Sequence, residues 1–360
     1  MTDLMTLAVP GAELRLAPCP GMVTSLRFAS GCGGWLSPLH CAPWLDEPQV
    51  QADPDIPLVE RRLSGDFLCA PFGASSGAPL HGWSANSAWR VDELVQSDRA
   101  ATARLELECD VQGARVQKEI HLHAGAPLLY QSHIVTGGRG ALPVAHHPMI
   151  ALQAGGRLSF SAKQLALTGD RPLEPGRNWL DYPAQTSDMA RFPGGGGTVD
   201  LHCYPGGTGH EDFVTLVEAR GHELGWTAVV RQAERDIVFF LKDPARLPVT
   251  MLWYSNGGRD YSPWNGRHRG VLGVEDGCTP GSGTGEAAYL AQRGVATHLE
   301  LAPGRVHVIR HVIGTVPLPE GWSTVRDIRR TGRRLLIEGD VGAPLTLPLE
   351  AGFFAPAELV

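Results

Sequence analysis

Short runs of apolar and β-branched residues, bounded by Gly, Pro, Asp or Asn, recur almost throughout the chain, while helical periodicity is scarce. Residues 12–16 and 22–28 read as a hairpin turning at Pro18-Cys19-Pro20-Gly21, and 103–109 pairs with 114–123 across Asp110-Val111-Gln112-Gly113. Further strands are predicted at 128–135, 213–219, 226–231, 237–241, 249–254, 270–274, 296–301 and 306–316. The tail from Pro317 adds strands near 335–338 and 345–349, so residues 1–360 are expected to form a single domain. The spacing predicts an all-β fold of antiparallel sheets packed face to face. Two segments break the rhythm. Residues 172–197, with Pro183 and the run Gly194-Gly195-Gly196-Gly197, read as a long mobile loop that either covers a cleft or decorates the surface. Residues 256–269, with Tyr261, Trp264, Asn265 and three arginines, deliver the chain to the strand carrying Glu275 and suit a binding role better.

Composition narrows the class without naming the chemistry. The 360 residues are 43% hydrophobic, with 44 Gly and 28 Pro to punctuate short strands. The formal net charge is -7, and the one arginine cluster, Arg326 to Arg334, reads as an exposed charged turn, so nucleic acid is not expected as a partner. Met1-Thr2-Asp3-Leu4-Met5 has neither the positive start nor the apolar run of a secretory signal, and no run of about eighteen apolar residues follows. A cytoplasmic protein without membrane contact is the expectation. Seven cysteines without a C-x-x-C spacing indicate neither a disulfide framework nor a zinc knuckle.

Candidate chemistry lies in three places: Pro79-Leu80-His81-Gly82-Trp83-Ser84-Ala85-Asn86, His146-His147-Pro148, and Gly273-Val274-Glu275-Asp276-Gly277. Two histidines and a carboxylate beside Gly or Pro can move protons on and off a sugar, because modest shifts bring both groups near neutral pH. Adjacent residues of an extended chain point to opposite faces, so only one of His146 and His147 can face a given site. Each residue alone also has a structural explanation, such as a turn histidine bonded to a carbonyl. Glu275 shares its strand face with Val271 and Gly273, and a carboxylate on such an apolar face stands at a strand end or in a site.

Taken in order over residues 12–316, with Pro71-Phe72-Gly73 shortly before the His-Gly loop, these motifs resemble the aldose 1-epimerase (galactose mutarotase-like) superfamily. The resemblance implies a large antiparallel β-sandwich, the galactose mutarotase-like supersandwich, and an isomerase that interconverts sugar anomers. It implies Glu275 as general base, His147 as general acid and His81 as the group orienting the sugar, with Trp83, Asn86, Asp212, Tyr261 and Trp264 as substrate-binding candidates. It implies no metal and no other cofactor. A small sugar is the implied partner, and a homodimer is left open. Many members carry an arginine after the Pro-Phe-Gly segment or within the His-Gly loop. Ala74-Ser75-Ser76 and Ala85-Asn86 stand here instead, which weakens the case for a hexose 6-phosphate and leaves Arg259, Arg267 and Arg269 as the basic residues to consider.

Two other readings compete. A non-catalytic carbohydrate-binding protein would use the same fold. A metal-dependent, cupin-like enzyme would start from His121-Leu122-His123, since residues two apart on a strand point the same way. These histidines fall on the polar face of their strand, and no matching downstream histidine and acidic ligand is evident in the sequence.

Overall fold

The computed structural model describes residues 4–31, 33–152, 154–204, 207–281 and 284–355; the expectations for Met1-Thr2-Asp3 and Cys32 lie outside the described residues. Two eight-stranded antiparallel sheets dominate. The first runs Gln185–Thr186, Lys163–Leu167, His210–Glu218, Val249–Asn256, Val271–Cys278, Val144–His146 and Leu68–Cys69, with Met149–Ala151 also paired to Val271–Cys278. The second runs Arg157–Phe160, Gly225–Arg231, Asp236–Lys242, Val306–Pro317, Leu128–Gly137, Ala114–His123, Ala100–Leu107 and Trp89–Gln96. A four-stranded sheet from Met5–Val9 to Trp35–Leu36 and a three-stranded sheet from Val325–Thr331 to Leu345–Pro348 complete the β structure named here.

The alternation in the sequence explains which face goes where. In Ala114–His123 the residues Val116, Lys118, Ile120 and Leu122 are buried, while Gln117, Glu119, His121 and His123 are partly exposed. The strands of the first sheet are buried on both faces and show no such clean alternation. Leu216, Leu252, Leu272 and Val274 pack into the core shared with Val116, Ile120, Leu129 and Ile313 of the second sheet. Residues on the opposite face, Phe213, Met251, Trp253 and Val271, pack instead with Trp44, Phe67 and Trp264. That second face carries the site described below. The tail sheet packs Val325, Ile328, Leu335 and Ile337 on Tyr130, Trp226, Phe239 and Val312, the outer face of the second sheet.

Segment 172–197 departs from the expected loop. It holds Gln185–Thr186 and the ribbon Phe192–Gly194 with Gly197–Val199, and Leu180, Met189 and Phe192 enter the main core. Three short helices, Pro48–Ala52, Leu58–Arg61 and Thr284–Gln292, are present. Leu58–Arg61 begins after a proline and spans only four residues, too few to carry a helical period. No helix among the described residues is long and apolar enough to cross a membrane. The six described cysteines are free.

Burial holds six histidines, His40, His81, His133, His146, His147 and His268, below their ordinary range. It pushes three carboxyls, Glu60, Glu211 and Glu275, above theirs. A histidine that resists protonation when folded costs stability as pH falls below its unfolded value, whereas a raised carboxyl returns stability over the same range. The histidines outnumber the carboxyls, so the urea midpoint is expected to be lower at about pH 5 than at about pH 7. A midpoint rising toward acid pH would show that these rings are charged in the folded state.

Candidate active site

The cavity that opens on this buried face has a volume of about 650 Å³, within the usual range for small-molecule sites. Glu275 enters from Val271–Cys278, and His147 follows the end of Val144–His146. The neighbouring positions face the other way. His146 stacks on His311 between the sheets at 4.4 Å, while His147 stacks on Phe67 at 4.6 Å. Asp276 likewise turns to Lys242, Thr250 and His311 at 2.9, 2.7 and 3.0 Å, leaving Glu275 to the cavity wall.

Glu275 Oε1 lies 3.2 Å from His147 Nε2. Burial pushes the Glu275 carboxyl well above the ordinary range, with Arg259 pulling the other way. Burial also lowers His147 to about 4. Both shifts run toward a neutral pair, in which a carboxylic O–H donates to the imidazole nitrogen. Among the described residues Glu275 Oε2 has no hydrogen-bond partner, which in a buried wall is capacity for a ligand.

His81 stands edge-on to His147 with ring centroids 5.0 Å apart, and Phe72 packs on its other side at 5.5 Å. Cys69 Sγ approaches His81 Nδ1 at 3.3 Å, which leaves Nε2 for a ligand. The loop reaches this position through an unusual backbone. His81 has φ 60° and Gly82 φ 75°, and a Cβ on Gly82 would stand 2.0 Å from the Ala70 carbonyl oxygen.

Tyr261 and Trp264 also line the cavity, as the position of segment 256–269 before the Glu275 strand suggested. Three other candidates do not line it. Trp83 is 40% exposed on the short helical turn after the loop. Asn86 is a brace: it accepts from Val59 N–H at 3.0 Å and donates to the Leu80 and Gly82 carbonyls, both at 2.7 Å. Asp212 is spent on segment 172–197, accepting from the N–H groups of Trp179 and Leu180, each at 2.9 Å, and approaching His210 Nδ1 at 2.9 Å. Its side chain ties down the loop that brings Leu173 and Glu174 to the cavity.

Arg259, named in the sequence only as one of three basic residues to consider, lines the cavity with Trp253 and with Glu174, which the sequence reading did not single out. The Arg259 guanidinium lies over Trp264 at 4.3 Å and Trp253 at 5.4 Å, and its Nε is 3.5 Å from Glu174 and 4.0 Å from the fully buried Glu211. Glu211 in turn accepts from Trp253 Nε1 at 2.9 Å and Ser255 Oγ at 2.8 Å, and burial raises it to about 7. The signal for this cluster was the charged triplet His210-Glu211-Asp212 inside an otherwise apolar strand.

No family model and no curated protein matches the sequence. Solved structures do match in fold. The GalM/aldose epimerase homologue from C. elegans superposes with a TM-score of 0.58 at 13% identity, covering 89% of this chain and 100% of that one. A galactose mutarotase related enzyme from Lactobacillus acidophilus gives 0.53 at 12% identity, covering 88% and 99%. A TPR-domain containing protein from Parabacteroides distasonis gives 0.56 at 13% identity, covering 91% of this chain and 50% of that one. The chain thus shares with these structures an all-β fold of large antiparallel sheets.

Gly82→Ala is expected to lower stability by roughly 2 kcal/mol or more, since it adds a backbone clash to a left-handed conformation. Chemical denaturation measures it. An unchanged midpoint would mean that the loop relaxes freely and that His81 is not held in place.

Proposed function

We propose that the cavity binds an unphosphorylated aldopyranose and interconverts its anomers by acid–base ring opening and closure. The observation that carries this reading is the pair Glu275 and His147, 3.2 Å apart on the wall of an aromatic-lined cavity. An anomeric carbon bears two oxygens, the hydroxyl O1 and the ring O5, so a base for one and an acid for the other must stand side by side. The matching fold of an aldose epimerase homologue and a mutarotase related enzyme supports the same reaction class.

In the opening step Glu275 takes the proton of O1, the O1 electron pair forms the carbonyl bond to C1, and the C1–O5 bond breaks. O5 takes the proton from His147. The open-chain aldehyde then turns about C1–C2 and closes on its other face by the reverse transfers. Glu275 gains one proton as His147 loses one, so the pair carries a single proton before and after. That is the count of the empty cavity, with the proton on Glu275. Sugar hydroxyls that donate to Glu275 stabilise its carboxylate and shift the proton to His147, which readies the pair. His81 Nε2 orients the ring, and Trp253 and Trp264 offer flat faces to sugar C–H groups. Arg259 is already matched by Glu174 and Glu211, so a phosphate would meet carboxylates as well as the cation. This favours an uncharged sugar.

Glu275→Gln keeps the shape of the side chain but cannot accept the O1 proton, so exchange at saturating sugar is expected to fall roughly 10²–10⁴-fold with binding retained. His147→Asn should behave alike. Anomeric exchange by NMR across an aldose panel measures both. A wild-type rate in Glu275→Gln would reject the base, while sugar binding without exchange in the parent protein would leave a carbohydrate-binding protein.

The pH profile carries a second expectation. With His147 lowered to about 4 and Glu275 raised, the one-proton pair persists from mildly acid through neutral pH. Exchange should hold its plateau through the ordinary histidine range and fall only as pH approaches about 4, when the pair takes a second proton. An acid limb near about 6.5 would show an unperturbed histidine in control.

A further inference from the structure

The histidine pair set aside in the sequence gains a third neighbour in the fold. His121 and His123 stand two apart on Ala114–His123, so their rings leave the same face of the second sheet. The tail of the chain crosses this face. Glu350, just beyond Leu345–Pro348, donates its backbone N–H to the Tyr130 hydroxyl at 2.9 Å, and Tyr130 is the cross-strand partner of His121. Phe353 then packs edge-on against the Tyr130 ring at 5.0 Å. Thus anchored, the Glu350 carboxylate presents Oε2 3.1 Å from His123 Nε2 and 3.9 Å from His121 Nδ1. One donor atom from each of the three residues falls within 4.8 Å of the others, and all three side chains remain partly exposed, so an ion could enter from solvent.

We propose that His121, His123 and Glu350 bind a late first-row divalent cation of the zinc class, which clips the tail of the chain onto the second sheet. Two imidazoles and a carboxylate form a nitrogen and oxygen donor set that zinc takes at about 2.0–2.2 Å, with water completing the tetrahedron. Neighbouring donors in such a shell stand roughly 3.3–3.5 Å apart. The observed separations of 3.1 and 3.9 Å straddle that range, so modest side-chain rotation closes the site. The buried trio Asp66, His146 and His311 is a poorer match. Its two rings stack at 18°, so their in-plane lone pairs run side by side instead of converging, and His311 Nε2 already faces Asp276 at 3.0 Å. None of His121, His123 and Glu350 lines the cavity, so the role is structural and independent of the sugar chemistry.

The test uses the full chain carrying Cys203→Ser, which removes the one exposed thiol among the described residues as a competing zinc ligand. After treatment with a chelator, equilibrium dialysis against zinc is expected to give about one equivalent per chain. Glu350→Gln, His121→Asn and His123→Asn should each weaken binding by roughly tenfold or more. Zinc should also raise the melting temperature of the parent and slow proteolysis beyond Pro348, and do neither in the variants. The metal-free melting temperatures identify which variants fold like the parent, and those variants decide. No zinc uptake by the parent, or unchanged uptake in the folded variants, would overturn the proposal.

Discussion

The geometry of the site depends on one buried carboxylate, Asp66, at which three sheets meet. Its backbone exchanges hydrogen bonds with Val23 of the N-terminal sheet, at 2.8 and 3.1 Å. Its Oδ2 accepts from Gln131 Nε2 of the second sheet at 2.6 Å, and its Oδ1 accepts from the His147 N–H at 3.1 Å. A fully buried ion costs several kcal/mol unless its charge and lone pairs are answered. Here His146, with Nδ1 3.6 Å from Asp66 Oδ2, answers the carboxylate most directly, and the carboxyl is held down to about 2 despite burial; Lys118, on the inward face of the second sheet, feels the same charge from farther off. Burial draws its ammonium down to about 8 while Asp66 pulls upward. The position of His147 is therefore set by the core between the sheets and not by the loop it begins.

The strand Val271–Cys278 shows how that core separates two chemistries. Glu275 and Asp276 are adjacent and both buried, yet their environments push their carboxyls in opposite directions. Asp276 faces Lys242, His311 and the Thr250 hydroxyl, and the lysine above all holds its carboxyl well below the usual range despite burial. Glu275 faces aromatic rings and the His147 imidazole, and burial there raises its carboxyl against the opposing pull of Arg259. The pleat sends one side chain into a matched ionic network and its neighbour into an apolar wall. Environments that drive paired groups apart in this way are how one fold assigns acid and base roles.

Local signals made most of the fold legible. The strands 114–123, 237–241, 249–254 and 306–316 emerged close to their expected limits because period, β-branching and turn residues agreed. Segment 172–197 was misread because Leu180, Met189 and Phe192 gain their order from distant strands, which no local window contains. Within the site, His81, His147 and Glu275 could be nominated because each sits in a short motif beside Gly or Pro. Arg259 could not. Its significance comes from Trp264, Trp253 and Glu174 converging on it across the fold. Asp212 misled for the converse reason, since a carboxylate before a strand reads the same whether it meets a ligand or the N–H groups of Trp179 and Leu180. Asp66 did leave a trace, as the one charge in Gly65-Asp66-Phe67-Leu68-Cys69-Ala70. Its connection to His147 spans 81 residues and appears only when the chain folds.

The neutral state of the Glu275 and His147 pair in an empty cavity is what low polarity demands, and it bears directly on reversibility. Separating the proton to give a carboxylate and an imidazolium creates two charges in a wall built from Phe67, Phe72 and Trp253, where such charges are poorly solvated. The two charges attract each other across 3.2 Å, and a bound sugar adds hydroxyl dipoles aimed at both. The ion pair therefore becomes accessible only when the polar ligand that needs it is present. In the proposed reaction ring opening returns the pair to the neutral form, so the wall that penalises charge before reaction favours its disappearance during the opening step. Closing must recreate the ion pair, and it does so around a ligand whose hydroxyls are already in position. A wall of fixed polarity can thus serve both directions provided the pair keeps its single proton, which sealing by aromatic rings favours.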